Sequence, residues 1–255
     1  MLAGAEGRHA TTVRRLSAGE RADLTDGVGT IAECVVKSAR PGALELAVLA
    51  RRKEPAPDPR VVIVQAIPKG DRGELAVETM TEVGVDVVVP WSAERCVVRW
   101  RGDRADKGVA RWRSTALAAA KQSRRSWFPQ VTAVAGIAAV AELVQAAALA
   151  LLLDPDAPQA LASVATPTAG AGIGDDGGRD DGARDDGGRD DGARDDGGRD
   201  IVLVVGPEGG ISEQEAALLT QAGAIGARLG PTVLRASSAG AVAAALIMSS
   251  SGRWA

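Results

Sequence analysis

The sequence predicts an α/β layer fold on a parallel sheet, preceded by a small β domain. From Val61 onwards, short apolar runs alternate with helical patterns, as in a sheet whose crossovers are helices. The run Ile201 to Val205 ends in the turn Gly206, Pro207, Glu208, Gly209 and Gly210. Ser212, with Glu215 three residues on, then forms a capping box that opens a helix. Residues 1–52 carry short strand-like runs broken by Gly and Pro, and Pro55, Pro57 and Pro59 set them apart as a stiff linker would.

Taken in order, a strand and turn are expected within 19–27, with strands at 30–36 and 44–49 on either side of Arg40, Pro41 and Gly42. The linker is placed at 53–60. The pattern then predicts a strand at 61–66, a helix at 73–83, a strand at 85–89 and a helix at 107–122. A strand near Val131, a helix at 137–145 and strands at 149–153 and 201–205 follow. A helix at 212–222 and a last, alanine-rich helix from Ser237 complete the order, with Ser237 or Ser238 as its cap. Between the strands at 149–153 and 201–205, the unit Asp-Asp-Gly-Gly/Ala-Arg repeats five times from Asp175 to Arg199. Such a composition cannot bury a core, so an insert at about 165–200 is expected to be disordered, beside the pocket. The repeat lacks the apolar positions of a calcium-binding β-roll, and each unit carries a cation. It therefore reads as a solvated linker, without a metal.

Composition narrows the function classes. At 255 residues the chain can hold two modest domains, and 45% hydrophobic content with one Phe and no Tyr makes the core aliphatic. No signal peptide or membrane span is expected, and Cys34 and Cys96 lack metal spacing and suit a reducing cytoplasm as buried, inert thiols. The net charge of −3 hides a segregation. Residues 175–200 hold eleven Asp and five Arg, which leaves +3 on the remainder. Residues 92–125 hold ten Lys/Arg against three Asp/Glu, a face that can follow a phosphate backbone.

Two glycine-ended turns, Gly206 to Gly210 and Leu229–Gly230 with Val233, Leu234 and Arg235, point to one ligand pocket built mainly from backbone, because glycine has no Cβ to hold a flat ligand away. The first turn is not a nucleotide P-loop, since the Gly-Lys-Ser/Thr that would hold phosphate and magnesium is missing. Gly170, Gly172 and Gly174 have no clean strand before them and no helix after, so they do not make a dinucleotide fingerprint.

The two turns together resemble the last two signature motifs of the SPOUT methyltransferases, specifically the RsmE family of ribosomal RNA uridine N3-methyltransferases. Other segments agree in order. The stretch from Glu6 to Leu16 is similar to the family's amino-terminal RNA-binding region. Pro68–Lys69 with Glu74, Glu82, Gly84 and Val85, then Pro90, Ser92, Glu94 and Arg95, resembles its next block. Arg111–Trp112 with Ala120, Gln122–Ser123, Arg125 and Pro129 resembles its long helix. The resemblance covers nearly the whole chain outside 155–200. Ser237–Ser238 stand where the family usually has Glu-Thr, and Lys121 where it tends to have Glu. The family usually has one more strand before the Glu6 region, so the first domain is expected to lack it, or the start to lie upstream of Met1.

The resemblance implies a PUA-like RNA-binding β-barrel at 1–52 and a SPOUT methyltransferase domain at 61–255 with a trefoil knot near its end. It further implies S-adenosylmethionine as cofactor, 16S ribosomal RNA or the small subunit as partner, a homodimer with the pocket near its two-fold, and a cytoplasmic location. Cofactor contacts are expected from Leu152, Val205, Gly206, Pro207, Glu208, Gly209, Leu229, Gly230, Val233, Leu234 and Ser238. RNA contacts are expected from Arg8, Arg14, Arg15, Lys69, Arg95 and Arg125. Arg99, Arg101, Arg111 and Arg113 are further basic candidates, and Trp91, Trp100, Trp112 and Trp127 either stack on splayed bases or pack in cores. Uridine N3–H has a pKa of about 9 to 10, near that of a phenol, so the ring must lose this proton as the nitrogen attacks a methyl. Arg125 and Arg235 are the candidates for stabilising charge on the uracil carbonyls. The only histidine, His9, lies in the small domain, so the base is Glu208 or a water, with Glu208 alternatively a turn or helix-dipole partner. Two other functions fit the same residues: a non-catalytic RNA-binding or ribosome-assembly protein that kept the fold, and a SPOUT methyltransferase acting on another RNA position.

Overall fold

The computed structural model describes residues 1–168 and 199–254. The five repeats, apart from Arg199, and the Gly170 to Gly174 run lie outside the described residues. The chain divides into two compact units, Met1–Pro57 with Ala120–Phe128, and Asp58–Ala119 with Pro129–Ala255. Residues 120–128, which follow Val61 by far in sequence, thus group with the first unit.

In the first unit, a short helix α1 (Gly4–Arg8) runs into a π-helical turn (His9–Val13). Strands β1 (Arg21–Thr25), β2 (Thr30–Arg40) and β3 (Ala43–Lys53) form an antiparallel sheet in that order. The strand expected at 44–49 extends to Lys53. Arg51, Arg52 and Lys53 pair with Ala32, Ile31 and Thr30, because ladder bonds are made by backbone and tolerate charged side chains that face water. The core is small: Ala10, Val36 and Leu44, with Leu2, Leu16 and Leu46 against them. Gly27 and Gly29 have φ of 78° and 94°, and a Cβ on either would sit 2.7 Å from the ring of Phe128 or Trp127. These two aromatics close on bare backbone, and the amides of Gly29 and Phe128 bond to the carbonyls of Ser126 and Gly27.

The second unit is a six-stranded, all-parallel sheet. Its strands are β4 (Val61–Ala66), β5 (Val87–Trp91), β6 (Gln130–Val131), β7 (Leu149–Leu153), β8 (Ile201–Val205) and β9 (Ile225–Ala227), in the order β6-β5-β4-β8-β7-β9. β4 and β8 are buried at every position, as central strands covered on both faces must be. Alternate residues feed two cores. Ile63, Leu151, Ile201 and Leu203 pack with helices α2 (Arg72–Val83), α3 (Asp103–Gln122) and α6 (Ala236–Ser250). Val62, Val64, Val202 and Val204 pack with α4 (Ile137–Ala146) and α5 (Glu213–Gln221). Each such fully buried aliphatic side chain contributes about 1.5–3 kcal/mol. The alanines of α6 let it lie close: a Cβ on Gly240 would sit 2.8 Å from the Met80 sulfur on α2.

Boundaries shift where local chemistry intervenes. β5 begins two residues later than its apolar run, because Gly84 (φ 116°) ends α2 and Asp86 turns to accept the Val61 amide at 2.9 Å. Asp86 also binds Arg253 at 2.9 Å, tying the last helical turn to the amino ends of β4 and β5. α6 begins at Ala236 with Arg235 as N-cap and no side-chain cap, so neither Ser237 nor Ser238 caps it; both fall inside its first turn. The predicted cap at Ser212 does form, as a full capping box with Glu215. The connection from β7 to β8 includes residues 169–198, so the knot implied by the resemblance falls partly outside the described residues.

Candidate active site

At the carboxyl ends of β7, β8 and β9 the sheet opens into a cleft of about 690 Å³. This is where open parallel sheets bind ligands, because helix amino termini and flexible turns converge there. Leu152 and Val205 form its floor, and Gly206, Pro207, Glu208, Leu229, Gly230, Val233, Leu234 and Arg235 line its sides. Gly209 and Ser238 are not among the lining residues. Gly209 turns toward Arg95, and Ser238 sits in the first turn of α6. The cleft also has walls from Arg72, Arg95, Asp154, Asp156, Glu213 and Thr232. Arg72, Asp154 and Asp156 carry no signal in sequence, since they stand on other elements than the glycine turns, whereas Thr232 lies within the second turn and Glu213 opens the helix after the first.

The two turns are held differently. In the first, a Cβ on Gly206 would lie 2.6 Å from Ile211 Cγ1, so glycine is required by the turn's own packing. Glu208 accepts the Lys69 amide at 3.4 Å and faces Arg72 Nη1 at 3.5 Å. Arg95 Nη1 donates to the carbonyls of Gly209 and Ile211 at 3.3 and 3.4 Å. In the second turn the amides of Leu229, Gly230, Thr232, Val233 and Leu234 donate to no protein acceptor among the described residues. Val233 is 79% exposed and Leu234 36%, although both are apolar. Unpaired amides beside apolar side chains form a surface that a flat, polar-edged ligand can complete.

The remaining candidates are scattered. Arg8, Arg14 and Arg15 are exposed in the first unit, Arg15 at φ 52°. Arg125 also belongs to the first unit and is half-buried. Lys69 is exposed on the loop after β4, and Arg235 is exposed at the mouth of the cleft. Arg113 Nε donates to the Val131 carbonyl at 2.9 Å, and Arg111 faces Glu74 at 3.7 Å. Trp91 and Trp112 are fully buried, Trp100 stacks edge-on against Trp112 with centroids 5.2 Å apart, and Trp127 covers Gly29. These four rings pack within the protein. Burial pushes the thiols of Cys34 and Cys96 up, away from the thiolate form that a reactive cysteine needs.

The residues that flank the insert, Thr168 and Arg199, are among those the structure describes. Thr168 and Arg199 meet through a 2.9 Å hydrogen bond, Arg199 pairs with Asp58 at 3.0 Å, and Asp200 takes both Arg60 nitrogens at 2.8 and 2.7 Å. This is the amino end of β8, whereas the cleft opens at its carboxyl end. Thr168 and Arg199 therefore meet at the end of the sheet opposite the cleft, and residues 169–198 lie outside the described residues.

Comparison with known proteins matches residues 54–248 to an RNA methyltransferase domain and residues 2–49 to an RNA methyltransferase PUA domain. The chain is 42% identical to ribosomal RNA small subunit methyltransferase E of Mycobacterium bovis, over 98% of this chain and 86% of that one. The chain belongs to the ribosomal RNA small subunit methyltransferase E family. The relative from Bacillus subtilis is 25% identical over 93% of this chain and 85% of its own. A crystal structure of the Neisseria gonorrhoeae family member, bound to S-adenosyl methionine, superposes with a TM-score of 0.72 at 25% identity, covering 97% of this chain and 90% of that one. The family's fold, a SPOUT-type α/β domain with a PUA-like β domain, is the one described above.

The cleft suits S-adenosylmethionine. Leu152 and Val205 offer an apolar floor to a purine, and the unpaired amides of 229–234 offer donors to its polar edges and carboxylate. Asp154, Asp156, Glu208 and Glu213 line the cleft together with Arg72, Arg95 and Arg235, so a ligand bearing both charges finds side chains of each sign. Among the described residues no cluster of metal-ligating side chains occurs and no helix is long and apolar enough to cross a membrane.

Proposed function

We propose that the protein transfers a methyl group from S-adenosylmethionine to N3 of a uridine in 16S ribosomal RNA. The observation that carries this is the cleft itself: one tightly tied glycine turn and one loop of unpaired amides facing each other over an apolar floor, in a chain of this family. When bound, S-adenosylmethionine supplies an electrophilic methyl on a sulfonium. The chain's residues do the rest. Gly206 to Ile211 and Leu229 to Leu234 hold the donor and exclude water from one side. Arg235, exposed at the mouth, stabilises negative charge on a uracil carbonyl as N3 loses its proton. Arg125 serves the same end or grips phosphate, with Arg8, Arg14, Arg15 and Lys69 following the RNA backbone. Glu208 is engaged by Arg72 and the Lys69 amide; it fixes the turn, and water accepts the N3 proton. The active form is a homodimer in the cytoplasm, in which the exposed Val233 and Leu234 are covered by cofactor and partner.

One feature that would favour a non-catalytic RNA-binding protein loses weight: Ser237 is buried in α6 and lines no part of the cleft. The deciding experiment is mass mapping of 16S ribosomal RNA from a deletion strain, with the purified protein added back. One uridine should lose an N3 methyl and regain it. A missing methyl at another atom or in another RNA would replace the proposed substrate, and no S-adenosylmethionine binding by calorimetry at millimolar donor would leave only a binding module.

A further inference from the structure

The segment after β5 is fastened to the first cleft turn by a side chain that the capping motif alone does not account for. Residues 93–96 form a tight turn in which the Cys96 amide bonds the Ala93 carbonyl at 3.1 Å, which places Glu94 and Arg95 at its two central positions. The Glu94 amide points away from that turn and donates to Glu215 Oε1 at 2.8 Å. The other oxygen of Glu215 meets the amide and hydroxyl of Ser212 at 3.4 and 3.1 Å. A capping box occupies one carboxylate oxygen and leaves the second free to bridge. Glu215 is only 6% exposed, so a bridge that satisfies both oxygens is also what makes its burial tolerable. Arg95 makes the return contact to the carbonyls of Gly209 and Ile211, and Arg99 Nη2 holds the Glu94 carbonyl at 2.7 Å. Arg95 and Arg99 are both exposed.

We propose that Glu215 is a positioning residue for methyl transfer, whose carboxylate fastens the arginine-bearing segment 93–99 to the cofactor turn and so sets the RNA-facing surface relative to the donor. This rests on the reading of the cleft as the S-adenosylmethionine site. The turn that grips the donor and the segment that presents cations then move as one body. A one-ångström slip between them would misplace the acceptor without disturbing either part alone.

Four variants of the full-length protein separate positioning from mere stability. Each is assayed with S-adenosylmethionine and small ribosomal subunits from a strain lacking the enzyme. Ser212→Ala and Glu215→Ala both break the cap, so both should lower Tm. Only Glu215→Ala frees the Glu94 amide, and it should raise the KM for the subunits about tenfold, the loss of one charge-assisted hydrogen bond, while Ser212→Ala changes it less than about twofold. Glu215→Gln keeps an acceptor for that amide and should recover most of the difference. Glu94→Pro deletes the amide at a turn position that favours proline. It should raise the subunit KM as Glu215→Ala does, with a fall in Tm because one oxygen of the buried Glu215 loses its partner, and it decides the matter if Glu215→Ala does not fold. An unchanged subunit KM in Glu94→Pro, or an equal rise in Ser212→Ala, overturns the proposal. Failure of the unmodified protein to bind S-adenosylmethionine would instead remove the reading of the cleft, and this proposal with it.

Discussion

The two loops that face each other across the cleft are built on opposite terms. Gly206 to Ile211 is held by Arg72 and Lys69 through Glu208, by Arg95 on two carbonyls and by the Ser212–Glu215 box. Leu229 to Leu234 has amides without protein acceptors and apolar side chains in solvent. One side is formed in advance; under the proposed reading of the cleft, the other is completed by what binds. Preorganisation on one side limits the ordering cost of binding, while the second loop can close on a ligand and reopen to release product.

The sharpest way to break this contrast is to spoil the rigid side. Gly206→Val puts a Cβ 2.6 Å from Ile211 Cγ1. We expect at least a roughly hundredfold loss of turnover with about 1–3 kcal/mol of destabilisation from overpacking. Gly206→Ala with Ile211→Ala should restore much of it, as seen by thermal melting and methyl-transfer assay. Full activity in Gly206→Val would show that the turn is not held by its own packing.

Glu208→Gln tests whether that turn is a brace or a base. A base should cost about 10²–10⁴ in kcat. We expect kcat within about fivefold and a several-fold rise in the KM for S-adenosylmethionine, since what is lost is the pairing with Arg72. A hundredfold drop in kcat at unchanged KM would assign Glu208 the proton instead.

Hydrogen exchange sharpens the comparison directly. The amides of Leu229, Gly230, Thr232, Val233 and Leu234 should exchange fast in the free protein and slow by about tenfold or more on adding S-adenosylmethionine, with smaller changes at Gly206 and 208–211. Equal protection of both loops before ligand addition would erase the distinction. In the same loop, no atom lies within 4 Å of a Cβ on Gly230. Gly230→Ala should therefore leave stability within about 0.5 kcal/mol and weaken S-adenosylmethionine only if the ligand lies against that backbone, as calorimetry will read.

The smallest effect serves as a control away from the cleft. The Ser126 hydroxyl and then Arg52 hold the Glu54 carboxyl below its ordinary value. A depressed carboxylate adds stability that is present above the unfolded-state value near 4.5 and lost as pH falls through the folded one. Because Glu54 is only half-buried, Ser126→Ala should flatten the acid limb of a melting curve only slightly, with S-adenosylmethionine affinity unchanged.

Much of this architecture was legible in the chain. The runs 61–66, 149–153 and 201–205 begin and end where β4, β7 and β8 do, because a strand buried on both faces is continuously apolar and its neighbours are turn residues. The capping box at Ser212 and Glu215 was equally plain. Residue type points to Ser237 or Ser238 as the cap of α6, but Arg235 occupies that position without a side-chain cap and both serines lie inside the first turn. The tryptophans carried no mark telling a base platform from a core ring; Gly73, Gly108 and Gly29 supply the bare surfaces on which Trp112, Trp100 and Trp127 lie. The resemblance implies Arg95 as an RNA contact, whereas its bonds to Gly209 and Ile211 depend on residues over a hundred positions away.

Periodicity, capping and turn chemistry are local, so the chain alone settled the parallel α/β class, the central strands and the two glycine bends. Proximity is not local. Only the folded sheet, with β8 inserted between β4 and β7, brought both bends to one end, pinned the ends of the repeat segment to the other, and joined Glu94 to Glu215. The order of strands in a parallel sheet follows from which helix faces bury best against each other, a sum over the whole domain that no window of sequence contains.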